Sequence, residues 1–154
     1  IMPSLVGSEM CIRDRLDPEI MRRRISVFFG IEMDIDSDDW VPSHGDLHWN
    51  NIHRDPFAIA DWEAWGLAPR GYDAAFLLGH SLAVPHVADQ IARRFRRDLE
   101  SEGGIVSQLY VMTKLLTRAD AGEHEHLVPA LHRHVGRLLG TRVPPGRRSS
   151  SSTT

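Results

Sequence analysis

The stretch Ser43-His44-Gly45-Asp46-Leu47-His48-Trp49-Asn50-Asn51 sets an aspartate and an asparagine five positions apart on one polar loop. Ten residues beyond Asn51 stands Asp61, followed by Trp62 and Glu63. A carboxylate, an amide oxygen and a second carboxylate form a set that phosphoryl transfer can use. One carboxylate orients an acceptor hydroxyl and takes its proton, while the amide oxygen and the other carboxylate hold magnesium between phosphates. Such oxygen donors suit a hard cation. Taken singly, each residue is ordinary: Asp46 could shape a turn, Asp61 could close a strand and Asp73 could cap a helix. The chemistry rests on their conjunction.

The order H-G-D-x-x-x-x-N, then an Asp at a strand end, resembles the catalytic loop and metal motif of the aminoglycoside phosphotransferase and choline kinase-like family. The continuation Gly66-Leu67-Ala68-Pro69-Arg70-Gly71-Tyr72-Asp73-Ala74-Ala75 resembles it too. The likeness is close over residues 40–82 and looser over 16–140. It implies a phosphotransferase that passes the γ-phosphate of ATP to a hydroxyl of a small molecule. It implies Asp46 as the catalytic base, and Asn51 and Asp61 as ligands of Mg2+ at the nucleotide cofactor. His44 and Gly45 would shape the loop, and Asp73 would open the next helix and brace the loop from behind. The implied fold is part of the C-terminal lobe of the protein-kinase-like fold, a catalytic loop and short hairpin backed by helices. The motif does not choose among aminoglycosides, choline-like alcohols, sugars and amino alcohols as acceptor. His48 is expected to hydrogen-bond within the loop, and Trp49, Trp62 and Trp65 to pack rather than stack on substrate.

Three other readings compete. Gly45-Asp46-Leu47-His48 echoes the G-D-x-H of metallophosphoesterases, but the second Gly-Asp block and the Gly-Asn-His block of those hydrolases are missing from the sequence. His124, His126, His132 and His134 form two H-x-H pairs that could bind zinc if brought together. Residues two apart on a helix do not share a face, so a solvated helix edge is the expectation. The last rival is a non-catalytic interaction protein with an uncovered apolar face.

The elements that must position the loop are legible from periodicity. Asp17-Pro18 is a capping Asp followed by Pro at a first helical position, Met21, Ile25 and Phe28 keep helical spacing, and Gly30 supplies a stop. Trp40 and Val41 lead into Pro42-Ser43-His44-Gly45, which reads as a short extended entry to the loop. Residues 52–54 and 57–60 read as two short strands around the turn pair Asp55-Pro56. Residues 71–82 are apolar enough for a buried helix. Val87, Ile91, Phe95 and Leu99 predict one amphipathic helix over 86–100, ended by Gly103-Gly104. Ile105, Leu109, Met112 and Leu116 predict the next helix, and Leu127, Leu131, Val135 and Leu138 the last, ending at Gly140. The expected class is α+β, mostly helical.

Composition bounds the rest. The 154 residues fit one domain, and a net charge of -3 argues against a general nucleic-acid binder. One cysteine excludes an internal disulfide framework, which makes a cytoplasmic setting the default. No apolar run approaches the roughly 18 residues of a membrane span, so no membrane partner is expected. Residues 1–15 resemble a translated sequencing-adapter read-through and are expected to be a disordered leader. Residues 16–140 would be a partial phosphotransferase lobe, and 141–154 a disordered Pro- and Ser-rich tail. The sequence has no G-x-G-x-x-G, and its only lysine, Lys114, follows the loop in a helical pattern. The expectation is a fragment without the lobe that holds ATP, inactive alone.

Overall fold

The computed structural model describes residues 16–142, with side chains through Gly140; the expected leader 1–15 and the tail from 143 lie outside the described residues. The first helix, α1 (Pro18–Phe29), begins where its capping signals stand. The Asp17 carboxylate accepts the N–H groups of Glu19 and Ile20, and Gly30 closes the helix in a left-handed conformation at φ 66°. Met21 and Ile25 are fully buried.

Two short antiparallel pairs follow. β1 (Val41–Ser43) pairs with β4 (Gly66–Ala68), and β2 (Ile52–Arg54) pairs with β3 (Phe57–Ile59). The second pair is the expected hairpin, ending at Ile59 rather than Ala60. The first pair draws Ser43 against Gly66, so residues 44–65 form a closed segment whose ends are hydrogen-bonded together. β4 has no readable period, because Gly66 and the exposed Leu67 resemble loop rather than strand.

Behind this segment lie the helices α2 (Tyr72–Ser81), α3 (Pro85–Arg94), α4 (Arg96–Leu99), α5 (Glu102–Asp120) and α6 (Val128–Arg142). The most extensive helix contact is α2 against α5. Phe76, Leu109, Met112 and Leu115 meet there with almost no exposed surface. The mostly helical α+β class read from the sequence is the architecture observed.

Two helix boundaries differ from expectation. The helix expected over 86–100 breaks at Phe95, whose φ and ψ are -107° and 23°. Four apolar residues spaced by four cannot stay on one face of a straight helix. Each step of four overshoots a turn by about 40°, so three steps drift by about 120°. The break lets Ile91 and Leu99 both reach the core. Gly103 and Gly104 do not end that helix; they lie in the first turn of α5. Ser101 caps it, accepting the Gly104 N–H at 3.0 Å and donating to the Asp98 carbonyl at 2.6 Å. A Cβ on Gly104 would fall 1.9 Å from the Asp98 oxygen. The glycines thus permit close backbone approach. Helix α6 also runs past the expected stop at Gly140 to Arg142. Glycine only disfavours a helix interior, by about 1 kcal/mol, and does not end one unaided.

Candidate active site

The loop 44–51 is held by Asp73, in the first turn of α2. One carboxylate oxygen accepts the His44 backbone N–H at 2.8 Å, and the other accepts the Gly45 N–H at 3.0 Å. A charged acceptor on two amides makes a stronger hold than neutral pairs would. Gly45 turns the chain at φ 88°, and a Cβ there would lie 2.1 Å from the Ala64 carbonyl oxygen. Only glycine fits both the torsion and the contact.

His44 is buried, and both of its ring nitrogens are used. Nε2 faces the Ala60 carbonyl at 2.8 Å, and Nδ1 accepts the Asp46 N–H at 3.3 Å. A carbonyl only accepts, so the ring proton sits on Nε2. The imidazole therefore ties the backbone of Asp46 to the residue that precedes Asp61. The Ala60 N–H in turn donates to the Asn51 carbonyl at 2.9 Å. The His44 ring also meets Trp62 edge-on, with centroids 4.6 Å apart.

Asn51 is buried and donates from Nδ2 to the Asp46 carbonyl at 2.9 Å. That bond turns its amide oxygen away from Asp46 O, leaving an acceptor atom suited to a cation. Asp61 is exposed and left-handed, with φ 60° and ψ 63°. A non-glycine residue in that region carries some backbone cost, tolerated where surroundings over-determine it. Here the pinned Ala60 and the following 3-10 turn Trp62–Ala64 do so. Loop and hairpin end are thus bound through Asp73, His44 and Ala60. The side chains of Asn51 and Asp61 fit a hard cation by donor type. Among the described residues no group of three His, Cys, Asp or Glu side chains is arranged to hold a metal. Magnesium commonly takes one or two carboxylates plus substrate phosphates rather than a protein cage.

His48 makes its contact within the loop: its Nε2 lies 3.4 Å from Asp46 Oδ2. The tryptophans depart from the packing expected of them. Trp49, Trp62 and Trp65 are each about half exposed or more. Two of the indoles are held from the edge, Trp62 Nε1 donating to the Ile59 carbonyl and Trp49 Nε1 to Ser81. The four histidines near the C-terminus do not gather as one set: His124 and His126 lie with ring centroids 6.2 Å apart, and His134 turns elsewhere. His134 is largely buried and bonds Gln108 Oε1 at 2.9 Å, whereas His124, His126 and His132 are exposed. The solvated edge expected for all four therefore fails at His134, which turns inward onto α5.

Sequence reading missed Ser81, His80 and the Ala60 backbone. The one available signal was Ser81, a hydroxyl in an otherwise apolar helix. A cleft of about 470 Å3 lies away from the loop, lined by Trp40, Arg70, Glu102 and residues of the acidic 34–39 turn. It touches none of Asp46, Asn51 or Asp61, so volume and chemistry point to different places. The chemistry is the better guide, because it rests on directed hydrogen bonds among named groups. No protein-family model matches the chain, and neither a curated protein nor a solved structure matches it.

Proposed function

We propose that this chain carries the catalytic loop of an ATP-dependent phosphotransferase of the aminoglycoside phosphotransferase type, acting on a hydroxyl of a small molecule. The observation that carries the reading is the double tie of the loop: Asp73 on the His44 and Gly45 amides, and His44 between Asp46 and Ala60. A turn that merely reversed the chain would not need its backbone locked to both a helix start and a hairpin end. In the proposed reaction Asp46 accepts the proton of the acceptor hydroxyl. Asn51 Oδ1 and the Asp61 carboxylate would hold Mg2+, which supplies charge neutralisation at the transferring phosphate. His44 and Asp73 keep the base and the Asp61 carboxylate in register.

Among the described residues, none supplies the glycine-rich loop and lysine of a phosphate cradle. Lys114 lies in α5, its ammonium 5.0 Å from the centre of the Phe76 ring and 3.4 Å from the Tyr72 hydroxyl. It is part of the α2–α5 packing. We therefore propose that these residues turn over no substrate unaided, because positioning supplies much of the acceleration in this reaction.

The test uses Mn2+ as a paramagnetic stand-in for Mg2+ on the 15N-labelled chain. With ATP present, broadening should centre on the amides of Asn51 and Asp61 and vanish in Asp61→Asn. Broadening spread over the acidic 34–39 turn, or unchanged in Asp61→Asn, would overturn the assignment. A companion assay follows ADP release with ATP, Mg2+ and a panel of aminoglycosides and amino alcohols. The chain alone should be silent. Adding a lobe that bears a glycine-rich loop and lysine, if one is encoded upstream of residue 16, should restore turnover to the Asp46 form and not to Asp46→Asn.

A further inference from the structure

The far end of α2 holds the loop as well. Trp49 Nε1 donates to Ser81 Oγ at 2.8 Å, and that hydroxyl donates to the Leu77 carbonyl at 2.7 Å. Ser81 is 1% exposed, so its position is fixed by the helix and not by solvent. One residue earlier on each segment, the His48 ring lies against the His80 ring, centroids 5.4 Å apart. His80 is in turn set by its own helix: Nδ1 faces the Phe76 carbonyl at 3.0 Å, and the ring stacks on Phe76 at 5.6 Å. Consecutive residues of the loop thus rest on consecutive residues of α2.

The consequence falls on Asp46. His48 Nε2 lies 3.4 Å from Asp46 Oδ2, and the two side chains are only 19% and 27% exposed. The two groups lie at ion-pair distance without hydrogen-bond alignment. Catalytic contacts are often misaligned in this way before substrate binds, and a carboxylate only accepts, so the hydrogen a tightened contact would use is that of Nε2. Backbone bonds add to the fit: the His48 N–H donates to the Asp46 carbonyl, and the Asn51 N–H to the His48 carbonyl, each at 3.0 Å. Neither carboxylate oxygen of Asp46 accepts a hydrogen bond among the described residues, and Oδ2 is the one beside His48, which leaves Oδ1 open to an acceptor hydroxyl.

We propose that His48 is a positioning residue for Asp46, and that the His80–Ser81 end of α2 sets it. The proposal rests on the phosphotransfer reading for its purpose. No proton leaves His48; its Nε2–H orients the carboxylate while Asp46 takes the proton of the hydroxyl. Helix α2 then grips the loop twice, by Asp73 at its start and by His80 and Ser81 at its end.

The experiment reads the Asp46 side chain directly on the full chain, without nucleotide or metal. Three-bond couplings to the Asp46 β-protons report its rotamer. One rotamer is expected in the native chain, averaging in His48→Ala, and recovery in His48→Gln, whose amide can still donate. Ser81→Ala should produce averaging with His48 intact, and hydrogen exchange at the Trp49, Asn50 and Asn51 amides about tenfold faster, as loss of one hydrogen bond allows. Unchanged α5 amide signals show that the core stands. A single Asp46 rotamer in both His48→Ala and Ser81→Ala overturns the proposal, as does averaging in His48→Gln equal to that in His48→Ala. The Mn2+ experiment is independent of this readout. Its failure beside success here rejects the reaction and leaves the clamp standing; the reverse rejects the clamp alone.

Discussion

Asp73 acts through two hydrogen bonds to backbone amides, and its removal should be felt in the fold as well as at the loop. Hydrogen bonds to a charged group contribute about 1.5–3 kcal/mol. Asp73→Asn keeps one acceptor oxygen and offers an NH2 to the second amide, so it should cost about 1.5–3 kcal/mol in chemical denaturation. A midpoint unchanged from the native chain would show that the brace has no energetic role. A second residue-scale effect belongs to His134. Burial, with a smaller push from Arg137, lowers its pKa from 6.5 to about 4. The unfolded chain takes up a proton near pH 6.5, and the folded chain only near pH 4. Stability is therefore fully present above about pH 6.5 and is lost as pH falls toward 4, by at most about 3 kcal/mol. His134→Gln should flatten the slope of melting temperature between pH 7 and pH 4.5. Superimposable slopes would mean that His134 does not carry that dependence.

Among the elements, the start of α5 is the tightest point. Asp98, Leu99, Gly71 and Gly104 converge there, and a Cβ at either glycine would meet the Asp98 carbonyl at under 3 Å. Gly104→Ala should destabilise by about 1–3 kcal/mol or more, since overpacking at a backbone contact cannot be relieved by a rotamer change. A calorimetric melt within a degree of the native value would contradict the crowding. The same junction explains why Gly103-Gly104 misleads a reader of the sequence. A glycine pair is the usual mark of a helix stop, yet these two accept a neighbouring backbone.

At the scale of the whole molecule, order is unequal. α2 and α5 share the buried core, whereas β2 and β3 are three-residue strands with few buried side chains and Phe57 74% exposed. Native-state hydrogen exchange should follow this division. Amides of α5 around Leu109 to Leu115 should exchange only on global unfolding, and those of β2 and β3 orders of magnitude faster. Equal protection would mean that the hairpin is part of the cooperative core. The exposed Phe57, Trp62, Trp65 and Leu67 all fall within residues 57–67, the stretch of chain that contains Asp61. Among the described residues, no helix is long and apolar enough to cross a membrane.

The sequence by itself determined what depends on local rules. The capped start of α1, the hairpin around Asp55-Pro56, the apolar run of α2 and the oxygen-donor types at Asp46, Asn51 and Asp61 are each set by residues within a few positions. Tertiary structure decided everything that needs a distant partner. The pairing of β1 with β4 closes the loop segment, and no period announces it. The break at Phe95 arises because a spacing of four drifts around a helix until the core demands a new start. His134 was expected in solvent and faces Gln108 instead, because which side of α6 is buried depends on where α5 lies. Ser81 and His80 reach the loop only because α2 runs beneath it, so their places opposite Trp49 and His48 follow from packing and from no spacing in the chain.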